Sequence, residues 1–68
     1  MAGGSVTRYV QTGTGQIALL YFDEQTQTWS VDLFRQVDAT CERMATWTSR
    51  GDAVAALERM QFAVDTTL

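Results

Sequence analysis

Few side chains in this sequence could do chemistry. Gly13-Thr14-Gly15-Gln16-Ile17-Ala18 has the G-x-G-x-x-A outline of a dinucleotide-binding loop. Such a loop lays backbone amides and a helix N-terminus against a pyrophosphate, so a helix must open on it. The residues that follow form the strand-like run Ile17-Ala18-Leu19-Leu20-Tyr21-Phe22, and 68 residues leave no room for a Rossmann half plus anything else. The segment reads as a hairpin turn. Arg50-Gly51-Asp52 spells an integrin-recognition tripeptide. Asp52, however, has a local role where a carboxylate meets the positive end of a helix dipole. Asp32 could pair with Asp38 or Glu42 as general acid and base, but that work needs a pocket that shifts pKa values and excludes water. Cys41 has no His or Lys in the chain to activate it, which leaves only Arg or a helix end. Trp29 and Trp47 could stack on single-stranded bases, although such platforms are flanked by cations.

The missing residue types narrow the field further. The chain has no His, no Lys and one Cys. It therefore offers no His-dependent nucleophilic triad, Schiff-base lysine or P-loop lysine. It also offers no internal disulfide and no His/Cys metal site. Neither a catalytic residue, a cofactor-binding residue nor a metal ligand is assigned, and the protein reads as non-enzymatic. The only cations are the scattered Arg8, Arg35, Arg43, Arg50 and Arg59, and the net charge is −3. Displacing counterions from phosphates needs clustered cations. Nucleic acid is thus disfavoured as a partner, as is an anionic membrane, while a basic protein suits the acidic surface.

What holds such a short chain together is the next question. Leu, Ile, Val and Phe number only 15 of its residues. A core of that size barely offsets a chain entropy of about 1.5 kcal/mol per residue. Disulfide and His/Cys metal staples being excluded, a partner chain is the expected one, and a homodimer is one form of it. Residues 1–5 read as a flexible leader without the charged start or apolar stretch of a signal peptide. Residues 6–68 form a single small domain. No apolar run approaches the ~18 residues of a membrane span. The unpaired cysteine fits a reducing cytoplasm.

The elements follow from periodicity. Val6–Thr12 is β-branched and loosely alternating, and the Gly13/Gly15 turn ends it. Ile17–Phe22 is an apolar run of strand length. After the polar connection Asp23–Gln27, Thr28-Trp29-Ser30-Val31-Asp32-Leu33 alternates cleanly, with Trp29, Val31 and Leu33 on one face. Arg35–Thr40 reads as a loop or a strand continuation. Glu42–Thr48 reads as a further strand, with Arg43, Ala45 and Trp47 opposite Met44 and Thr46. Ser49 followed by Asp52 approximates a capping box ahead of a helix running to about Val64. Ala53, Leu57, Met60 and Val64 share one stripe of that helix, and Phe62 lies nearly opposite, which implies either a second contact surface or a fraying helix that folds Phe62 back onto the sheet edge.

The predicted fold is α+β: a small antiparallel sheet of three to four strands with one C-terminal helix packed on one face. A single helix covers one face only. The second strand is apolar on both faces, Ile17, Leu19 and Tyr21 against Ala18, Leu20 and Phe22. One set must lie away from the helix, and Phe34 joins the Thr28/Ser30/Asp32 side. An uncovered apolar strip is a dimer interface or a binding surface. The candidate partner-binding residues are Leu20, Phe22 and Phe34 for apolar contact, with Asp23, Glu24 and Asp32 for charge. Phe62 joins them as an aromatic on the solvent side of the helix.

Two families resemble this layout. Ala18-Leu19-Leu20-Tyr21-Phe22-Asp23-Glu24, Trp29-Ser30-Val31-Asp32-Leu33 and Gly51-Asp52-Ala53-Val54-Ala55-Ala56-Leu57 are similar to HicB-type antitoxins over about 40 residues. The family's Pro-Asp-Leu-Pro-Gly segment is missing, since the chain contains no proline. That resemblance implies an inhibitor of a basic, RNA-binding toxin. Thr28-Trp29-Ser30-Val31, Thr46-Trp47-Thr48-Ser49 and the Ala-rich helix resemble the integrase-type DNA-binding domain, a three-stranded sheet backed by one helix. The leading expectation is an acidic protein-binding module that inhibits a basic or nucleic-acid-handling protein, either antitoxin-like or a phage anti-defence protein of the anti-CRISPR kind. The alternative is a small nucleic-acid-binding domain that uses an Arg/Trp sheet face.

Overall fold

The β-branched and apolar segments before residue 36 become strands, and the glycine-containing and polar gaps between them become turns. The structure, a computed structural model, describes residues 6–65. The expected leader and the last three residues lie outside them. The elements are β1 (Thr7–Gln11), β2 (Ile17–Asp23), β3 (Thr28–Arg35), β4 (Thr40–Trp47), α1 (Arg50–Arg59) and β5 (Phe62–Val64). They form one antiparallel sheet of order β4-β3-β2-β1-β5. The first four strands make a meander. The helix then carries the chain from one edge of the sheet to the other.

The turns use backbone conformations suited to tight reversal. Gly13 and Gly15 take φ of 93° and 76° in the first, where an L side chain would be strained. The second is shorter by one residue, Glu24–Gln27, and is pinned by the Gln25 amide donating to Asp23 Oδ1 at 3.0 Å. It sets Asp23 opposite Thr28, which fixes the whole β2–β3 register, including Phe22 opposite Trp29 and Leu20 opposite Val31.

The helix begins as the sequence predicts. The Ser49 side chain accepts from the Asp52 amide at 3.1 Å, and Asp52 occupies the first turn. Its end differs from the expected Val64. Gln61 adopts φ of 70°, the left-handed conformation that terminates helices. Two groups at the end of β1 and the start of the turn after it hold the reversal: Gln11 Nε2 donates to the Met60 carbonyl at 2.9 Å, and the Thr12 amide donates to the Gln61 carbonyl at 2.9 Å. Phe62 then enters β5 instead of facing solvent, because an aromatic in a strand beside β1 buries its ring where a further helical turn would expose it. The sheet therefore has five strands, not three or four.

The core lies between the helix and one sheet face. Tyr9, Ala18, Leu20, Val31, Ala53, Leu57 and Phe62 form it, with Trp29, Leu33, Met44 and Trp47 packed around the edge. β4 departs from simple alternation. Ala45 pairs with Val31 and Arg43 with Asp32, which leaves Met44 out of the ladder as a β-bulge. Met44 therefore joins the core beside Ala45 and Trp47. Arg43, expected on the same face as Ala45 and Trp47, goes to the opposite one.

Candidate protein-docking face

The face away from the helix is ordered in rows by the strand register. One row crosses all five strands as Ala63, Val10, Ile17, Phe34 and Cys41. Every member is apolar or a thiol. The next row is Arg8, Leu19, Asp32 and Arg43, and the next is Tyr21, Ser30 and Thr46. Ile17 is almost fully covered at 6% exposure, while Val10, Leu19 and Phe34 are half-buried and form the surface above and beside it.

Two shallow concavities adjoin this band. The larger, about 450 Å³, lies between the first and third turns against Ile17 and Phe34. The smaller, about 220 Å³, is bordered by Arg8, Leu19 and Phe34. Val37 stands at the rim with 91% of its surface exposed. The third turn is held by Gln16, whose Nε2 donates to the Phe34 carbonyl at 3.0 Å. The larger one is lined by Gln11, Thr14, Gln16 and Gln36 as well as by Ile17 and Phe34, so it is the half-buried apolar band beside it that suits side chains of another protein.

The other end of the face is a polar cluster built on Arg43. Arg43 Nη2 lies 3.2 Å from Asp23 Oδ2 and donates to Tyr21 Oη at 3.3 Å, and Nε is 4.0 Å from Asp32 Oδ1. Tyr21 Oη in turn donates to Asp32 Oδ2 at 3.2 Å. The Arg43 pKa is raised, first by the hydrogen bond to Tyr21 and its charge, then by Asp23 and Asp32. The guanidinium is a permanent cation that gathers two carboxylates beside the apolar band.

Of the residues expected at a partner surface, Asp23, Asp32 and Phe34 come together on this face, and Glu24 is exposed in the adjoining turn. The other three do not join them. Leu20 is 1% exposed and Phe62 5%, both inside the core. Phe22 lies on the helix side, its ring 5.2 Å from that of Trp29. The physical reason is the four-residue turn, which places Phe22 with Trp29 and so assigns Ala18, Leu20 and Phe22 to the buried side. Val10, Ile17, Leu19 and Tyr21 take the open side. Counting back from the turn through the clean Trp29/Val31/Leu33 alternation is the signal that would have selected them.

The same parity divides the groups of an Arg/Trp sheet face. Trp29 and Trp47 pair with each other on the helix side, where Arg35 also falls by register, whereas Arg8 and Arg43 belong to the open side. Among the described residues, no group of three or more His, Cys, Asp or Glu is placed to hold a metal ion. No helix among them is long and apolar enough to cross a membrane. No family model, curated protein or solved structure matches this chain.

Proposed function

We propose that this protein is a non-enzymatic protein-binding module of the inhibitor type, that its docking surface is the open sheet face, and that it works in the cytoplasm against a basic protein. The observation that carries the reading is the apolar band of Val10, Ile17, Leu19 and Phe34 on a face that no helix covers. Half-buried apolar side chains flanked by a polar rim are the anatomy of a protein interface. The net charge of −3 and the exposed Glu24, Asp38 and Glu42 favour a partner of opposite sign. An antitoxin and a phage anti-defence protein are both inhibitors of this kind.

A protein partner is favoured over a nucleic acid by the state of the arginines. On the open face Arg8 is paired with Asp65 at 3.2 Å and Arg43 with Asp23 at 3.2 Å. Cations already matched by carboxylates release few counterions from a phosphate backbone. Affinity capture with Leu19→Asp and Phe34→Ser variants tests the proposal. Both are expected to stay folded and to lose a stoichiometric protein partner retained by wild type and by Val64→Ser. Retention of that partner by both variants, or a mobility shift with nucleic acid at low salt, would overturn it.

A further inference from the structure

Charges on the open face follow a pattern with its own symmetry. Along the row through Leu19, the register runs Arg8, Leu19, Asp32, Arg43 across β1 to β4. Asp65 lies just beyond Arg8, its amide donating to the Arg8 carbonyl at 2.8 Å and its Oδ2 3.2 Å from Arg8 Nε. From the β5 edge to the β4 edge the row is negative, positive, apolar, negative, positive. Its reverse is positive, negative, apolar, positive, negative. Each position in the reversed order meets its electrostatic opposite, with Leu19 meeting itself.

Reversal of that order is what a two-fold axis along β2 produces when one sheet is laid face to face on another. We propose that the open face is self-complementary and that its occupant is a second copy of this chain, stacked sheet on sheet about such an axis. The inference rests on the open face being a protein-docking surface: a second copy covers it in the free protein, and a basic partner competes for the same face. Arg8 then meets Asp32 of the partner subunit, and Arg43 meets Asp65 of the partner subunit. In the neighbouring row, Val10 packs on Phe34 of the partner subunit. The strands of the two sheets run nearly parallel, the aligned packing that sheet twist favours.

Two further observations fit this occupant. The arginines are the outermost groups of the row, with side-chain exposures of 56% for Arg8 and 49% for Arg43, against 16% and 21% for Asp65 and Asp32. Their guanidinium groups therefore project toward an opposing copy while staying in reach of their own carboxylates. The area is that of a weak dimer. At about 4.8 Å between strands and about 6.8 Å between alternate residues, rows crossing five, five and three strands cover about 420 Å² per copy, so the pair buries about 850 Å², in the range of transient interfaces.

Light scattering across a concentration series tests it, with circular dichroism to show that each variant is folded. Wild type is expected to move from 7.6 kDa toward twice that mass as concentration rises. Arg8→Asp alone and Asp32→Arg alone each set like charges against one another twice, and each weakens self-association by about a hundredfold. An equimolar mixture of the two, like the double variant in one chain, restores the doubled mass. A wild type that stays at 7.6 kDa overturns the proposal, as does a dimer indifferent to both reversals. A monomeric wild type that still loses a protein partner on Leu19→Asp overturns self-docking alone. A monomer whose partner binding ignores Leu19→Asp overturns the docking face as well.

Discussion

Asp32 stands opposite Arg43, not Met44, and one skipped residue accounts for the chemistry of both sheet faces. Were β4 regular, Arg43 would share a face with Ala45 and lie against the core, and Met44 would be exposed on the other side. The bulge reverses both placements. It supplies the core with an adaptable apolar side chain and the β4 edge of the open face with a cation.

Deleting Met44 is expected to leave the pairing intact, because Arg43 then directly precedes Ala45 and both keep their partners Asp32 and Val31 in a regular ladder. What is lost is the Met44 side chain packed against the core. Chemical denaturation should show a cost of about 2 kcal/mol, whereas Met44→Leu, which keeps the bulge and the volume, should stay within about 1.5 kcal/mol of wild type. A deletion variant that fails to fold would show that the ladder cannot close without the bulge.

Ser30 offers a test of opposite sign. Its side chain is fully buried between Tyr21 and Thr46, and its Oγ has no hydrogen-bond partner. Burying an unmatched hydroxyl is unfavourable, so Ser30→Ala should be neutral or stabilising by up to about 1 kcal/mol. Thermal unfolding decides it, and a melting temperature lowered by several degrees would be the contrary result.

Phe62 and Val64 stand two residues apart on β5 at very different depth, 5% and 50% exposed. Phe62→Ala removes a ring from the core and should cost about 3–5 kcal/mol, enough to unfold a domain this small. Val64→Ser should lie within about 0.5 kcal/mol of wild type. Equal effects in urea titrations would contradict the placement of β5.

Local conformation supplies a fourth test. Gln61 and Ala39 sit at φ of 70° and 56°, where a side chain is strained. Gln61→Gly and Ala39→Gly should each be neutral or stabilising by a few tenths of a kcal/mol or more, despite the flexibility of glycine. Gly15→Ala, at φ of 76° with open space around it, should instead destabilise by about 1 kcal/mol through backbone strain alone. Ser49→Ala should cost about 1 kcal/mol by uncapping the helix. Differential scanning calorimetry on the four variants would rank them in that order.

Much of this arrangement is legible before any coordinates. The alternation from Trp29 to Leu33, the apolar run of β2 and the Ser49 cap are local signals, and local signals fix strand faces and helix starts. Phe62 is only half legible. Its place opposite the apolar stripe allows either a second contact surface or a fold back onto the sheet edge, and the tertiary contacts of Gln11 and Thr12 with the helix end decide for the sheet. The bulge at Met44 is invisible to a period-two reading, because its benefit is split between two faces that the sequence does not label. Of the expected docking residues, Asp23, Asp32 and Phe34 fall on the open face because parity from a well-patterned strand placed them there. Leu20 and Phe22 came from β2, whose two faces are equally apolar, and only the turn register distinguishes them.

β1 is paired on one side with the strand that follows it and on the other with β5, which lies far along the sequence. Its second neighbour is thus a long-range one that the helix delivers. Arg8 and Asp65 bring the outer ends of these strands within a salt-bridge distance of 3.2 Å. A short linker across that gap, with new ends opened in the exposed turn at Glu24–Gln27, would give a permuted chain in which β5 and β1 form a hairpin and the longer β2–β3 ladder joins the two chain ends. It should refold more slowly, because its most extensive strand pair then closes the largest loop.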